Sequence, residues 1–304
     1  MKRFIKYIIL FFVPVLIFLV AAELYCRTQT IIVIKKQHFE NNLSTINTLL
    51  LGSSHFQNGL NPEFLKYNSC NLAYGGQPIS IDYFLLNKYI DQMKNLKTVL
   101  FEVSPHRLYY EFDPSNWNGH VYSNLYDINY KTEKLSIKNY SLVLSDVKYF
   151  STIFIDNYNP NLTKPKLNTF GFMINAFSGR FTELENDSIK INQTFKMNSI
   201  FENQKNFKLN MFFLNKIIQE CQKKKVEIIF IGTPLYQTYY SKIPLKTEIQ
   251  VKNALSHVTN KYGIQYYDFS RSKKFHLKDY INDNHLNPNG AKKFTMLIDS
   301  ILTN

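Results

Sequence analysis

Two hydroxyls near residue 50 and a histidine near the carboxyl end are the residue types that could do chemistry together. The first stretch reads Thr48-Leu-Leu-Leu-Gly-Ser-Ser-His-Phe-Gln-Asn-Gly59, and the second reads Tyr280-Ile-Asn-Asp-Asn-His285-Leu-Asn-Pro-Asn-Gly-Ala291. A serine hydroxyl is a poor nucleophile until a neighbouring base takes its proton, and a loop histidine beside acidic and amide side chains is a suitable base. The combination is that of acyl transfer. His55 is set aside as the base for Ser54, because adjacent side chains diverge where a strand turns into a helix. Taken one at a time the residues have plainer readings: small polar residues after a buried strand serve as turns and caps, and His285 alone is a surface loop histidine.

The elements that must hold these groups are legible from the apolar pattern. Thr48 to Leu51 is a short apolar run stopped by Gly52, as expected of a parallel strand buried on both faces. Ligands gather beyond the carboxyl ends of such strands, which is where Ser53 and Ser54 stand. Asn61-Pro62 caps a short helix, and residues 70 to 73 and 98 to 103 are further strands around a helix with apolar positions at Ile79, Tyr83, Leu86 and Ile90. From 207 onward a helix lined by Met211, Leu214, Ile218 and Cys221 precedes a strand over 226 to 231. A helix over 246 to 262, C-capped by Gly263, and a strand over 264 to 269 follow. Asn287 and Pro288 open a last helix with apolar positions at Phe294, Leu297, Ile298 and Ile301, so His285 falls on the loop before it. Strand and helix alternate as in a parallel sheet. The rhythm lapses over about 107 to 205, a stretch rich in Tyr, Phe and Asn that holds the single tryptophan, Trp117. It reads as an inserted subdomain or lid, whose aromatic rings either stack on sugars or form its own core.

Together the two polar stretches resemble the SGNH (GDSL-type) hydrolase family. Gly52-Ser53-Ser54 matches the family's first block, with Ser54 in the nucleophile position, and His285 with its Leu-Asn-Pro-Asn-Gly-Ala sequel matches the last. Asn71-Leu-Ala-Tyr-Gly-Gly76 is similar to the second block, whose glycine N–H joins the oxyanion hole; the spacing favours Gly76. Phe101-Glu-Val-Ser-Pro-His106 stands where the family has Gly-x-Asn-Asp, so His106 replaces the asparagine as third oxyanion donor beside the Ser54 N–H and Gly76. Asn282 occupies the usual aspartate position, three residues before His285, with Asp283 next to it. A carboxylate both orients the imidazole and stabilises the imidazolium. Asp283 is therefore the expected orienter, with Asn282 as the alternative. The resemblance implies a flavodoxin-like three-layer α/β sandwich of about five parallel strands over residues 45–304, without a cofactor.

Composition narrows the setting. The 304 residues carry 36 Lys+Arg against 23 Asp+Glu, a formal charge of +13. The lysines are scattered rather than gathered into a stripe or module, so no nucleic-acid partner is expected. Three cysteines, Cys26, Cys70 and Cys221, are too few and too far apart for a zinc site or a disulfide framework, and no metal is expected. Cys70 and Cys221 read as buried thiols. Lys2, Arg3 and Lys6 precede sixteen uncharged residues, Tyr7 to Ala22. At about 1.5 Å per residue, that run falls a little short of a hydrocarbon core of about 30 Å, and snorkelling by Lys6 extends it. Residues 1–26 are thus a signal anchor, with a cleaved signal peptide as the alternative, and 27–44 a polar connector. Basic residues before the span place the rest of the chain outside the cytoplasm.

Two functions follow as expectations. One is an extracytoplasmic serine esterase or O-acyltransferase acting on acyl esters, O-acetyl first among them, of a cell-surface polysaccharide or on a small ester. The other is a non-catalytic polysaccharide-binding or assembly subunit that keeps the fold.

Overall fold

The computed structural model describes residues 1–111, 117–130, 136–160, 162, 164–194 and 199–303. Helices α1 (Lys2–Gln29) and α2 (Ile31–Asn42) precede strand β1 (Thr48–Leu51). There follow α3 (Ser54–Gly59), β2 (Ser69–Asn71), α4 (Ile79–Tyr89), β3 (Thr98–Glu102) and α5 (Pro105–Tyr109). Then come α6 (Trp117–Tyr126), α7 (Leu142–Ser145), α8 (Val147–Asp156), α9 (Arg180–Glu183) and α10 (Ser188–Thr194). Helix α11 (Gln204–Lys223), β4 (Glu227–Gly232), α12 (Gln237–Tyr240), α13 (Leu245–Tyr262), β5 (Gln265–Asp268) and α14 (Pro288–Thr303) complete the order. Two compact units are formed, one from Met1–Ile34 with Asp113–Lys164, the other from Lys35–Phe112 with Pro165–Asn304.

The second unit is built on a five-stranded parallel sheet ordered β2-β1-β3-β4-β5. Side chains alternate across it. Leu50, Leu100, Ile229 and Ile231 pack with Phe56 of α3 and with Phe294 and Ile298 of α14, whereas Leu49, Leu51, Val99 and Phe101 point to the opposite face. With helices on both faces, β1 and β3 have no exposed side, which is why they read as unbroken apolar runs. The flavodoxin-like α/β architecture is as expected, with strand ends within a residue or two.

The connector is different. Residues 27–44 are helical almost throughout, because Ile32, Val33 and Phe39 bury a face of α2 that the surrounding lysines and asparagines disguise. The irregular stretch also divides: residues 113–164 group with the N-terminal helix, while 107–112 and 165–205 group with the sheet. In the first unit Val121, Tyr122, Tyr126, Leu142, Val143 and Phe150 are buried, so these aromatics build a core of their own. The Trp117 side chain lies outside the described residues.

A buried ion pair ties the sheet to the helices beside the strand ends. Asp82 of α4 and Arg107 of α5 are in contact, with 0% and 1% of their side chains exposed. Arg107 Nη1 also donates to the Glu102 carbonyl at 2.8 Å, and its guanidinium lies over the Phe101 ring. Removing one member of such a pair strands the other charge, at a cost of about 3–5 kcal/mol. Arg107→Met is expected to lower the unfolding free energy of the detergent-solubilised protein in urea by that amount. The double variant Asp82→Asn/Arg107→Met should recover much of it, and a double variant no more stable than the single would show that the pair's charges do not interact.

Candidate functional site

The hinge of the site is the turn after β1. Gly52 passes over Glu102, the last residue of β3, so closely that a Cβ at 52 would lie 2.7 Å from Glu102 Oε2. The Glu102 carboxylate is fully buried and accepts from the Ser53 backbone N–H (2.6 Å) and the Ser53 hydroxyl (2.8 Å). His55 Nδ1 lies 3.2 Å from Glu102 Oε1. Burial alone would raise the Glu102 pKa, but the His55 contact and the two Ser53 donors outweigh it, holding the carboxyl below its usual range. With Ser53 drawn down to Glu102, the next residue, Ser54, opens α3.

His285 arrives from the far end of the chain. A bridge between Tyr280 and Leu286, with the Ile281 N–H donating to the His285 carbonyl at 2.9 Å, pinches residues 281–285 into a loop. Asn287 fastens that loop to α14: its side-chain oxygen caps the N–H groups of Asn289 and Gly290, both at 3.0 Å. Gly290 is obligatory there, because a Cβ would meet the Asp279 carbonyl oxygen at 2.2 Å. Helix α14 packs on α3 through Phe294 and Phe56, and this brings Ser54 and His285 together. His285 Nε2 lies 2.7 Å from Ser54 Oγ across 231 residues of sequence.

The other imidazole nitrogen faces Asn282. Asn282 Oδ1 lies 3.1 Å from Nδ1 and also accepts from the backbone N–H groups of His285 (2.9 Å) and Asn284 (3.1 Å). Backbone N–H groups only donate, so they fix the amide with its oxygen inward. Nδ1 must then carry the proton. Nε2 is left as the acceptor for the Ser54 hydroxyl, the tautomer a general base requires. Burial first, then the neighbouring His55 and His106, push the His285 pKa down to about 3.

The expected orienter, Asp283, does not take this place. Its backbone carbonyl accepts from the Tyr236 N–H at 2.8 Å, which turns the residue away from His285. Its Oδ2 has no hydrogen-bond partner among the described residues. Burial pushes its carboxyl up to about 6. One step of backbone reverses the side-chain direction, so Asn282, and not its acidic neighbour, meets the imidazole.

Around the expected oxyanion position, Gly76 adopts a left-handed φ of 68° that favours glycine. Gly75 borders Ser54, a Cβ on it being 4.0 Å from the Ser54 Cβ, but its N–H is occupied by Gln57 Oε1 at 2.7 Å. Asn71 braces the segment, its amide donating to the Phe56 and Leu60 carbonyls and its oxygen accepting from the Ala73 N–H. His106, in α5, stacks on Tyr110 with centroids 5.8 Å apart and is near enough to act electrostatically on His285. Burial, then His55, lower its pKa to about 4, which keeps its imidazole neutral.

Glu102, His55 and Gln57 were not anticipated as parts of the site. A charged residue closing the apolar strand Thr-Val-Leu-Phe-Glu was the available signal for Glu102, since a carboxylate buried in a sheet requires donors. A separate cleft of about 480 Å³, beyond β3, β4 and β5 and lined in part by Val103, Thr233 and Asp268, does not include Ser54 or His285. Among the described residues, no three His, Cys, Asp or Glu side chains are grouped to hold a metal.

No protein-family profile matches the chain, and no curated protein does. Solved structures do resemble it at low similarity. One is a candidate platelet activating factor from Streptococcus pneumonia, 11% identical, with a TM-score of 0.40 over 95% of this chain and 97% of that one. Another is a candidate acylhydrolase from Bacteroides fragilis NCTC 9343, 10% identical, with a TM-score of 0.41 over 88% of this chain and 95% of that one.

Proposed function

We propose that the protein is a serine esterase or O-acyltransferase of the SGNH type. It acts outside the cytoplasm on acyl esters, O-acetyl first among them, of a cell-surface polysaccharide. One observation carries the chemistry: Ser54 Oγ lies 2.7 Å from an imidazole nitrogen that the Asn282 amide leaves unprotonated. In the first step Ser54 Oγ bonds to the ester carbonyl carbon while His285 Nε2 accepts the hydroxyl proton. The carbonyl electron pair moves to oxygen, and the Ser54 N–H, the Gly76 N–H and neutral His106 are the donors proposed for that oxyanion. Collapse expels the alcohol, which takes the proton from His285. Water or a second hydroxyl then reverses the sequence, giving hydrolysis or transfer. Topology supports the substrate class: the basic residues before the apolar helix favour a cytoplasmic N-terminus.

The second reading, a polysaccharide-binding or assembly subunit, is favoured by one fact: among the described residues, the hydrogen-bond partners of the His285 imidazole are Asn282 and Ser54, neither a carboxylate. A serine-reactive fluorophosphonate separates the two. Stoichiometric labelling, lost in Ser54→Ala, is expected of the enzyme; an unlabelled wild-type chain that binds glycan would establish the other reading. Ser54→Ala should unfold within about 1 kcal/mol of wild type. Ser53→Ala should cost more, about 1–3 kcal/mol, because it leaves the buried Glu102 short of a donor. If labelling follows Ser53 instead, the nucleophile is misassigned.

The low pKa of His285 predicts a pH profile. The base is lost only when His285 is protonated, so kcat/KM for an aryl acetate should stay level from neutrality to well below pH 6.5, the ordinary histidine value. Asn282→Asp places a negative charge beside Nδ1, favours the imidazolium and should move the acid limb upward. Asn282→Leu removes the acceptor that selects the tautomer and should lower kcat by about 10²–10⁴. Profiles and rates unchanged in both variants would remove Asn282 from its role.

A further inference from the structure

The first unit carries apolar surface that its own core does not use. From Arg3, about 20 residues at about 1.5 Å each cross a hydrocarbon core of about 30 Å, so α1 reaches the far boundary near Ala22 and Glu23. Phe18 is still inside. At that boundary the helix is built into the fold. The Glu23 carboxylate caps α7, accepting from the Ser141 hydroxyl (2.7 Å) and the N–H groups of Leu142 and Val143 (both 3.0 Å). Arg27 pairs with Glu23 at 2.6 Å and donates to Asn124 Oδ1 and the Tyr140 carbonyl.

Helix α8 meets α1 at the same level. The Phe154 ring packs edge-on against Phe18 (5.4 Å) and Tyr25 (5.5 Å), and Tyr158 packs on Phe154 (5.3 Å). At 100° per residue, Val147, Ser151, Phe154 and Ile155 fall on one flank of α8, and Tyr158 follows two residues past its end. Of these, Val147 is 52% exposed, Ile155 56% and Tyr158 69%. This flank is the one that touches α1 within the apolar span. Its exposed surface therefore continues that of a helix whose own side chains, such as Leu16 and Ile17, face outward along the span.

We propose that the 147–158 segment lies in the interfacial layer of the bilayer beside α1, and that α1 is retained as a permanent anchor. An apolar stripe continuous with a membrane-spanning surface is covered by lipid without any further partner, and a tyrosine at its end suits the boundary between acyl chains and water. Retention follows from the same contacts. Cleavage after Ala22 would strip Phe18 from Phe154 and leave the α7 cap hanging on a free chain end.

The test uses the full chain in phosphatidylcholine/phosphatidylglycerol nanodiscs. A nitroxide on Ile155→Cys is compared with one on Lys261→Cys, an exposed position on α13, by collision with oxygen and with a water-soluble nickel chelate; the three native cysteines are buried. The ratio of oxygen to nickel collisions should be several-fold higher at 155. Equal ratios overturn the interfacial seat. Intact mass of the membrane-extracted protein tests retention without any substitution: the complete chain is expected, and a chain beginning at Glu23 overturns it. Neither result depends on Ser54 chemistry.

Discussion

The backbone N–H groups of His285 and Asn284 converge on Asn282 Oδ1, and that convergence decides what the Ser54–His285 pair can do. In serine proteases, an asparagine in place of the triad aspartate is ruinous because the imidazole is held in the wrong tautomer. An amide free to rotate can present its NH₂ to the ring. Here rotation would set two donors against two donors, so the oxygen stays inward and the imidazole keeps its proton on Nδ1. The loss that remains is the charge that would stabilise an imidazolium. Cysteine proteases with a Cys-His-Asn arrangement also use an amide in this place.

Beneath Ser54 a second constraint operates. Glu102 is a fully buried carboxylate at the end of a central strand, and it can remain ionised only where donors are supplied. The turn after β1 supplies them, from Ser53 N–H and Oγ, provided that residue 52 has no side chain. The same hydrogen bonds that satisfy Glu102 therefore fix the direction of Ser54. Serine suits position 53 for a visible reason: an aspartate there would set a second carboxylate against Glu102 and be repelled.

How much of this was legible in the sequence depends on the range of the interaction. Buried strands and capped helices are set by neighbours in the chain, so the sheet, the Asn287 cap and the Gly263 left-handed stop could be read from residue order. The pairing of Ser54 with His285 rested on the resemblance to known blocks, since nothing local joins residues 231 apart. The choice between Asn282 and Asp283 could not be read. It turns on the Tyr236 N–H, which holds Asp283 from a different loop, and on a preference for charge over amide that ignored the backbone donors. Helix α2 was hidden for a related reason: lysines and asparagines surround its apolar positions, and only the folded structure shows that Phe39 and Ile32 are inside.

A neutral orienter also suits the charges already present. His285 is desolvated and lies near His55 and His106, all of which disfavour its protonated form. A carboxylate at 282 would stand next in the chain to Asp283, which is already pushed toward its neutral form by desolvation. An asparagine adds no charge and no desolvation penalty of that size, yet it still selects the tautomer. The imidazole of His285 is thereby kept unprotonated over a wide pH range, the state that the proposed base needs. In the proposed reaction the energetic burden would move to the transition state, where the imidazolium would be stabilised by groups other than the residue beside Nδ1. Oxyanion donors carry most weight in such a site, because a well-held oxyanion is the charge that offsets the imidazolium formed with it.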